Sequence, residues 1–187
     1  ARLRNHQWVV RLHPMDTYSR WTELEASFPN VVISRPWKHR SDSRFWAIPS
    51  ADEIGLLGNT LRYADATVTV ASTTALDSAV VGTPVVGVGF HPTAEAWEGR
   101  FYRDCHFSEH YRPLMETGAL PLATGMEELH SLLAAAVGDR DGLREERAEM
   151  VRRLCGVVDG NTVERIARAM LGLLAAPARS PVLERGY

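Results

Sequence analysis

Residues 64–90 read Ala64-Asp65-Ala66-Thr67-Val68-Thr69-Val70-Ala71-Ser72-Thr73-Thr74-Ala75-Leu76-Asp77-Ser78-Ala79-Val80-Val81-Gly82-Thr83-Pro84-Val85-Val86-Gly87-Val88-Gly89-Phe90. The Val- and Thr-rich run from Ala66 to Ala71 has the length and composition of a strand. Thr73 to Val81 then reads as a short helix closed by Gly82, and Pro84 to Val88 reads as a second apolar strand. Two apolar strands joined through a helix form a parallel crossover unit.

The same alternation extends outward. Trp8 to Leu12 is an apolar run ended by His13-Pro14, and Val31-Val32-Ile33 is another, stopped at Pro36. Between them Trp21, Leu24 and Phe28 recur at helical spacing. Residues 36–50 are loop-like, and Ser50 with Glu53 forms a capping box that opens a helix to about Tyr63. Beyond Phe90 an irregular stretch precedes a helix at 108–116 and a short strand at 119–123. A second capping box, Thr124 with Glu127, opens a helix that buries Met126, Leu129, Leu132, Leu133 and Ala136. Helices at about 141–154 and 162–175 follow, the last with Val163, Ile166, Met170 and Leu174 on one stripe. Uniformly apolar strands alternating with helices predict a doubly wound parallel α/β sheet in three α/β/α layers, one domain over residues 1–187. Ligands of such sheets bind at the carboxyl ends of strands, which directs attention to the loops after Leu12, Ile33, Ala71 and Val88.

Composition narrows the function classes. The chain has 187 residues, 45% hydrophobic and 24% charged, with net charge −2, and that balance gives no footing for nucleic acid. Lys38 is the sole lysine among 21 basic residues. Cys105 and Cys155 have neither CxxC spacing nor the density of a disulfide scaffold, so the expected setting is cytoplasmic. No apolar run reaches membrane-spanning length. The chain opens Ala1-Arg2-Leu3 and reaches a strand by Trp8, which leads us to expect a piece of a longer protein.

Chemistry concentrates at Ser72-Thr73-Thr74, where a strand gives way to a helix. Small hydroxyl residues there leave backbone N–H groups open to an anion and add donors of their own. Asp77, one turn on, can accept two hydrogen bonds from a ribose diol. On spacing alone two readings stand, a phosphate site or a plain helix cap.

The stretch from Ala64 to Phe90 resembles the nucleotide-diphosphate segment of GT-B glycosyltransferases, and most of all the CDP-glycerol glycerophosphotransferase group. It is also similar to the non-hydrolysing UDP-N-acetylglucosamine 2-epimerases. In those families a Ser-led turn receives the diphosphate, a carboxylate holds the ribose and a G-x-P-V-V strand follows. Ser72, Thr73, Thr74, Asp77 and Gly82-Thr83-Pro84-Val85-Val86 fall on that pattern. Thr73-Thr74 and Asp77-Ser78 replace the epimerases' usual glycines and glutamate pair. Arg11-Leu12-His13-Pro14 resembles the R/K-x-H-P that ends the first strand of the same domain, and Pro14 forces an extended conformation on His13.

The resemblance implies a Rossmann-like half of a bacterial transferase that acts on cell-envelope polysaccharide. Ser72, Thr73, Thr74 and Asp77 would bind a nucleoside diphosphate-activated sugar or polyol as substrate. His13 would offset charge on the departing nucleotide as the catalytic residue. The acceptor would bind on an N-terminal domain absent from this sequence, and the resemblance extends to peripheral membrane association of the whole enzyme. No further cofactor and no metal are expected. Two other readings remain open, an epimerase-like isomerase and a non-catalytic scaffold.

Other features carry less. The run Phe107 to Leu114 looks like a stretch after the nucleotide loop in uncharacterised relatives, without assigned chemistry. Trp37, Phe45 and Trp46 could stack on a base or cover another domain. His91, His106 and His110 lack an HExxH pattern, and Asp139 to Arg153 reads as a solvated helix face.

Overall fold

A computed structural model describes residues 5–13, 16, 19, 21–35, 49–91 and 96–175, and the aromatic loop with Trp37, Phe45 and Trp46 lies outside them, as does Pro14. The chain is α/β with parallel strands and gathers into two compact units, Ala1–Leu61 and Arg62–Tyr187, the division falling inside one helix.

In the first unit β1 (Trp8–Arg11) pairs in parallel with β2 (Val31–Ser34), Trp8 opposite Val31 and Arg11 opposite Ser34. Leu12, Ile33 and Leu61 are its buried apolar residues among those described. The connecting helix α1 (Thr22–Ser27) is shorter than its periodicity predicts. Pro29 disfavours helical geometry at Phe28, which is extended at φ −130° and half exposed. The Glu25 carboxylate accepts from the Ile33 amide at 3.1 Å, and Trp21 Nε1 donates to Asp16 at 2.9 Å. Helix α2 (Ala51–Tyr63) opens with the expected capping box: the Ser50 amide donates to Glu53 at 2.8 Å, and the Glu53 amide to Ser50 Oγ at 3.2 Å.

The second unit holds a three-stranded parallel sheet ordered β3 (Thr67–Thr69), β4 (Val85–Val88), β5 (Leu122–Ala123). Its central strand is covered on both faces, with Val85 and Val86 at 2% and 0% exposure. Helix α3 (Thr74–Val80) carries the chain from β3 to β4. It ends in a Schellman turn: the Thr83 amide reaches the Ser78 carbonyl at 2.9 Å and the Gly82 amide the Ala79 carbonyl at 3.0 Å. Gly82 sits at φ +79°, a conformation glycine adopts without steric cost.

Beyond β4 the structure corrects several expectations. The stretch read as irregular holds α4 (Ala96–His106), and the helix expected at 108–116 is one turn, α5 (Arg112–Met115). Pro113 supplies a pre-set φ at the start of α5. Helix α6 (Met126–Gly138) is capped by Gly125, one residue later than the sequence suggests. The partner of Thr124 is therefore Glu128, not Glu127, and Glu128 accepts from both the amide and the hydroxyl of Thr124, at 2.8 and 2.6 Å. Of the α6 residues expected inside, Leu133 alone is buried and Met126 is half exposed.

Helix α7 (Arg144–Leu154) packs against α3, and Met150 enters the core with Ala75, Ala79, Val85, Tyr111, Leu114, Ala119 and Leu120. The segment Asp139 to Arg153 is thus more than a solvated face. Arg147, 4% exposed, donates to the carbonyls of Gly142 and Arg140. Arg140 in turn donates to the carbonyls of Arg62 and Ala64 and to Thr83 Oγ1. Two arginines thereby close the polar backbone where β3 and β4 begin. Helix α8 (Thr162–Ala175) leaves Val163, Ile166, Met170 and Leu174 exposed, at 55–81%.

Candidate functional site

The parallel strands of the second unit end along one edge of the sheet, and the turn Val70–Thr73 leaves that edge from β3 into α3. Its backbone groups can be counted one by one. The Ala75 amide donates to the Ser72 carbonyl at 3.1 Å, and the amides of Leu76 and Asp77 to the Thr73 carbonyl at 2.9 and 3.1 Å. The Thr74 amide reaches Ser72 Oγ at 3.3 Å, and Ser72 Oγ lies 3.1 Å from Thr74 Oγ1. The amides of Val70, Ala71, Ser72 and Thr73 have no acceptor among the described residues. The turn spends its downstream donors on itself and leaves the four upstream ones without an acceptor among the described residues. Thr73 occupies the N-cap position, but its side chain makes no capping bond.

Thr73 is exposed, whereas Ser72 and Thr74 are half-buried. Behind them Ser78, fully buried, hydrogen-bonds the Thr74 carbonyl at 2.9 Å and lies 3.1 Å from Thr67 Oγ1. Those contacts tie α3 to β3.

Asp77 stands one turn into α3. Its carboxylate has no hydrogen-bond or ion-pair partner among the described residues, and partial burial pushes its carboxyl above the usual range. Cys155, past the end of α7, faces it: burial, and then the Asp77 charge, push that thiol up. Asp77 is itself an exposed residue of α3.

The sequence did not single out Tyr111. Its hydroxyl donates to the Ser72 carbonyl at 3.1 Å across 39 residues of chain, and its ring is 4% exposed. Burial pushes the phenol up, so it stays a neutral donor. His106, fully buried, meets it edge-on, centroids 5.5 Å apart at 86°. His106 Nδ1 is 2.9 Å from the Tyr102 carbonyl, which can only accept, so Nδ1 carries the proton. Nε2 then holds a lone pair with no partner, and burial pushes the imidazole pKa down. A Cβ on Gly87 of β4 would come within 3.2 Å of that nitrogen and 3.0 Å of Leu122 Cδ1. The Phe107–Leu114 run was the available signal for this contact, since it places Tyr111 next to the α5 turn.

Ser72, Thr73 and Thr74 lie in one turn, and Asp77 follows one turn into α3. His13 is in the first unit, exposed, where its carbonyl accepts from the Asp16 amide at 2.8 Å just beyond β1. Arg11, to which the sequence assigned no role, lies 3.5 Å from Ser34 Oγ, and burial lowers its pKa. No group of three His, Cys, Asp or Glu side chains placed to hold a metal occurs among the described residues. None of their helices is long and apolar enough to cross a membrane. No family model, curated protein or solved structure matches the chain.

Proposed function

We propose that the second unit binds the nucleoside diphosphate of an activated sugar or polyol, as the donor half of a GT-B-type transferase. The observation that carries this reading is the run of amides from Val70 to Thr73 without an acceptor among the described residues, on the carboxyl edge of a parallel sheet, with the unpartnered Asp77 carboxylate one turn further on. Open amides, with the Ser72, Thr73 and Thr74 hydroxyls around them, suit the oxygens of a diphosphate. Asp77 suits a ribose diol, which offers two O–H donors to one carboxylate. Phosphate held by amides and hydroxyls does not need a metal to offset charge on a departing diphosphate.

In this proposal the second unit belongs to a doubly wound fold. The acceptor is a cell-envelope glycan or polymer precursor, handled by residues outside this sequence. The reaction takes place on the cytoplasmic side, where nucleotide-activated donors are made.

Calorimetric titration with UDP, CDP and GDP tests the reading. Binding of at least one, weakened about tenfold or more in both Ser72→Ala and Asp77→Asn, is the expected result. No heat with any of the three at millimolar concentration defeats it.

A further inference from the structure

Along α7 the residues Arg144, Arg147, Ala148, Val151 and Arg152 recur at helical spacing and share one face of the helix. That face and the end of α3, with Ala79, Val80 and Gly82, wall a cavity of about 470 Å³. Asp141 is the one carboxylate in its lining. The three guanidiniums differ in how their charge is met. Arg144 lies 3.5 Å from Asp141, and Arg152 holds both Glu149 oxygens at 2.7 Å. Arg147 has no carboxylate within ion-pair distance among the described residues. Its terminal nitrogens donate to the Gly142 and Arg140 carbonyls, and Nε has no partner. Burial is the largest influence on its pKa, which is lowered; Asp141 and Glu146 act on it through space, opposed by Arg140 and Arg144. Arg140 also binds neutral oxygens, those of Arg62, Ala64 and Thr83. Buried charges in proteins are ordinarily paired, so a wall cation that meets only carbonyls leaves room for an anion from outside.

We infer that this cavity binds a small organic oxyanion, a phosphate monoester or a carboxylate that carries a short apolar group. Arg144 and Arg152 are exposed at its rim and supply the hydrogen-bond donors. Their exposed ion pairs with Asp141 and Glu149 are weak enough to yield to a ligand. Arg147, 4% exposed, supplies charge from within the wall, where solvent screens it less. Inorganic phosphate leaves most of such a volume unfilled, whereas Val80, Ala148 and Val151 offer an apolar group a surface. Gly82 leads through Pro84 into β4, so the cavity lies toward the amino edge of the sheet. The Ser72 turn is at the other end of α3, and binding in the cavity does not depend on the diphosphate reading.

NMR of the full chain tests the site with n-butyl phosphate, pentanoate and, as a neutral control, n-butanol, at one ionic strength set with chloride. One or both anions are expected to shift the Arg144 and Arg152 Nε–H signals and the methyls of Val80, Ala148 and Val151, saturably. A response to n-butyl phosphate alone assigns a phosphate ester, and a response to pentanoate alone a carboxylate. n-Butanol is expected to leave the arginine signals in place. Arg144→Gln, at an exposed position, should weaken binding about tenfold, and Arg147→Met by at least as much. Val80→Glu puts a carboxylate in the wall with all three arginines kept, and should abolish binding; it carries the test if Arg147→Met does not fold. Undiminished affinity in Val80→Glu, or no saturable shift with either anion at concentrations on the order of 10 mM, overturns the site. Shifts at the Val70–Thr73 amides in place of the cavity signals also overturn it, and leave the diphosphate reading standing.

Discussion

Replacing Arg147 by methionine tests whether the buried arginine pair organises the second unit. The side chain is 4% exposed and gives two charge-assisted hydrogen bonds to carbonyls, those of Arg140 and Gly142. Such bonds contribute about 1.5–3 kcal/mol each, so losing both costs roughly 3–6 kcal/mol. Against that, Nε has no partner and the buried charge is itself disfavoured, as the lowered pKa of Arg147 indicates. Relieving one unsatisfied buried donor returns about 1–3 kcal/mol. Methionine keeps most of the apolar stem in place. The balance is a loss of about 2–3 kcal/mol. With a urea slope of about 2 kcal/mol per molar, the midpoint should fall by roughly 1 M. Far-UV circular dichroism is the suitable probe, because α3 to α8 all lie in the second unit. Arg140→Ala should couple to it by about 1 kcal/mol, since Arg147 holds the carbonyl of the residue whose guanidinium binds Arg62, Ala64 and Thr83. An unchanged or raised midpoint in Arg147→Met, or strict additivity in the double variant, would refute the reasoning.

Other substitutions probe the site and its supports. Asp77 has a raised carboxyl pKa, so its ionisation works against folding, and stability should fall as pH rises from about 3.8 through the folded-state value. Asp77→Asn should flatten that limb in denaturant titrations at stepped pH while weakening nucleotide binding; a variant as pH-dependent as the wild type would contradict it. His106 has the opposite sign: its folded pKa lies below the ordinary 6.5, so stability should be lost as pH falls from that value. His106→Leu should lose less stability than the wild type over the same range, and an identical acid limb would tell against a buried neutral imidazole. Leu143 is the one non-glycine residue with positive φ among those described, at +55°, and it occupies the N-cap of α7. Asparagine tolerates that conformation and caps helices, so Leu143→Asn should raise stability by about 0.5–1 kcal/mol, read as a higher thermal midpoint.

Local signals in the sequence carried through where one short-range rule decided the outcome. The Ser50–Glu53 box, the glycine stop at Gly82 and the strands at Trp8, Val31 and Val85 each depend on residues within a few positions. The Thr124 box failed by one residue because an extended Gly125 displaced the cap, a choice of backbone that propensity does not encode. Helix α4 went unread because Pro92 precedes it and Gly99 lies within it, two residues that disfavour a helix by propensity. At the candidate site the turn itself was legible from Ser72 to Asp77. Tyr111 was not, because its bond spans 39 residues and exists only once α5 has packed. Arg147 was hidden by its neighbours, since an alternating run of charges looks the same whether or not one guanidinium turns inward.

The reach of Arg140 also sets where this chain can be shortened. Residues far along the sequence finish the beginning of the sheet, and Met150 fills a space between α3 and the core. Trimming back past Met150 therefore opens a void, and trimming back past Arg140 also strips the carbonyls at Arg62 and Ala64 of their donor. By contrast, no residue of α8 whose burial is described is buried, so a version ending soon after Cys155 sheds a greasy stretch and keeps every group described as buried in the second unit.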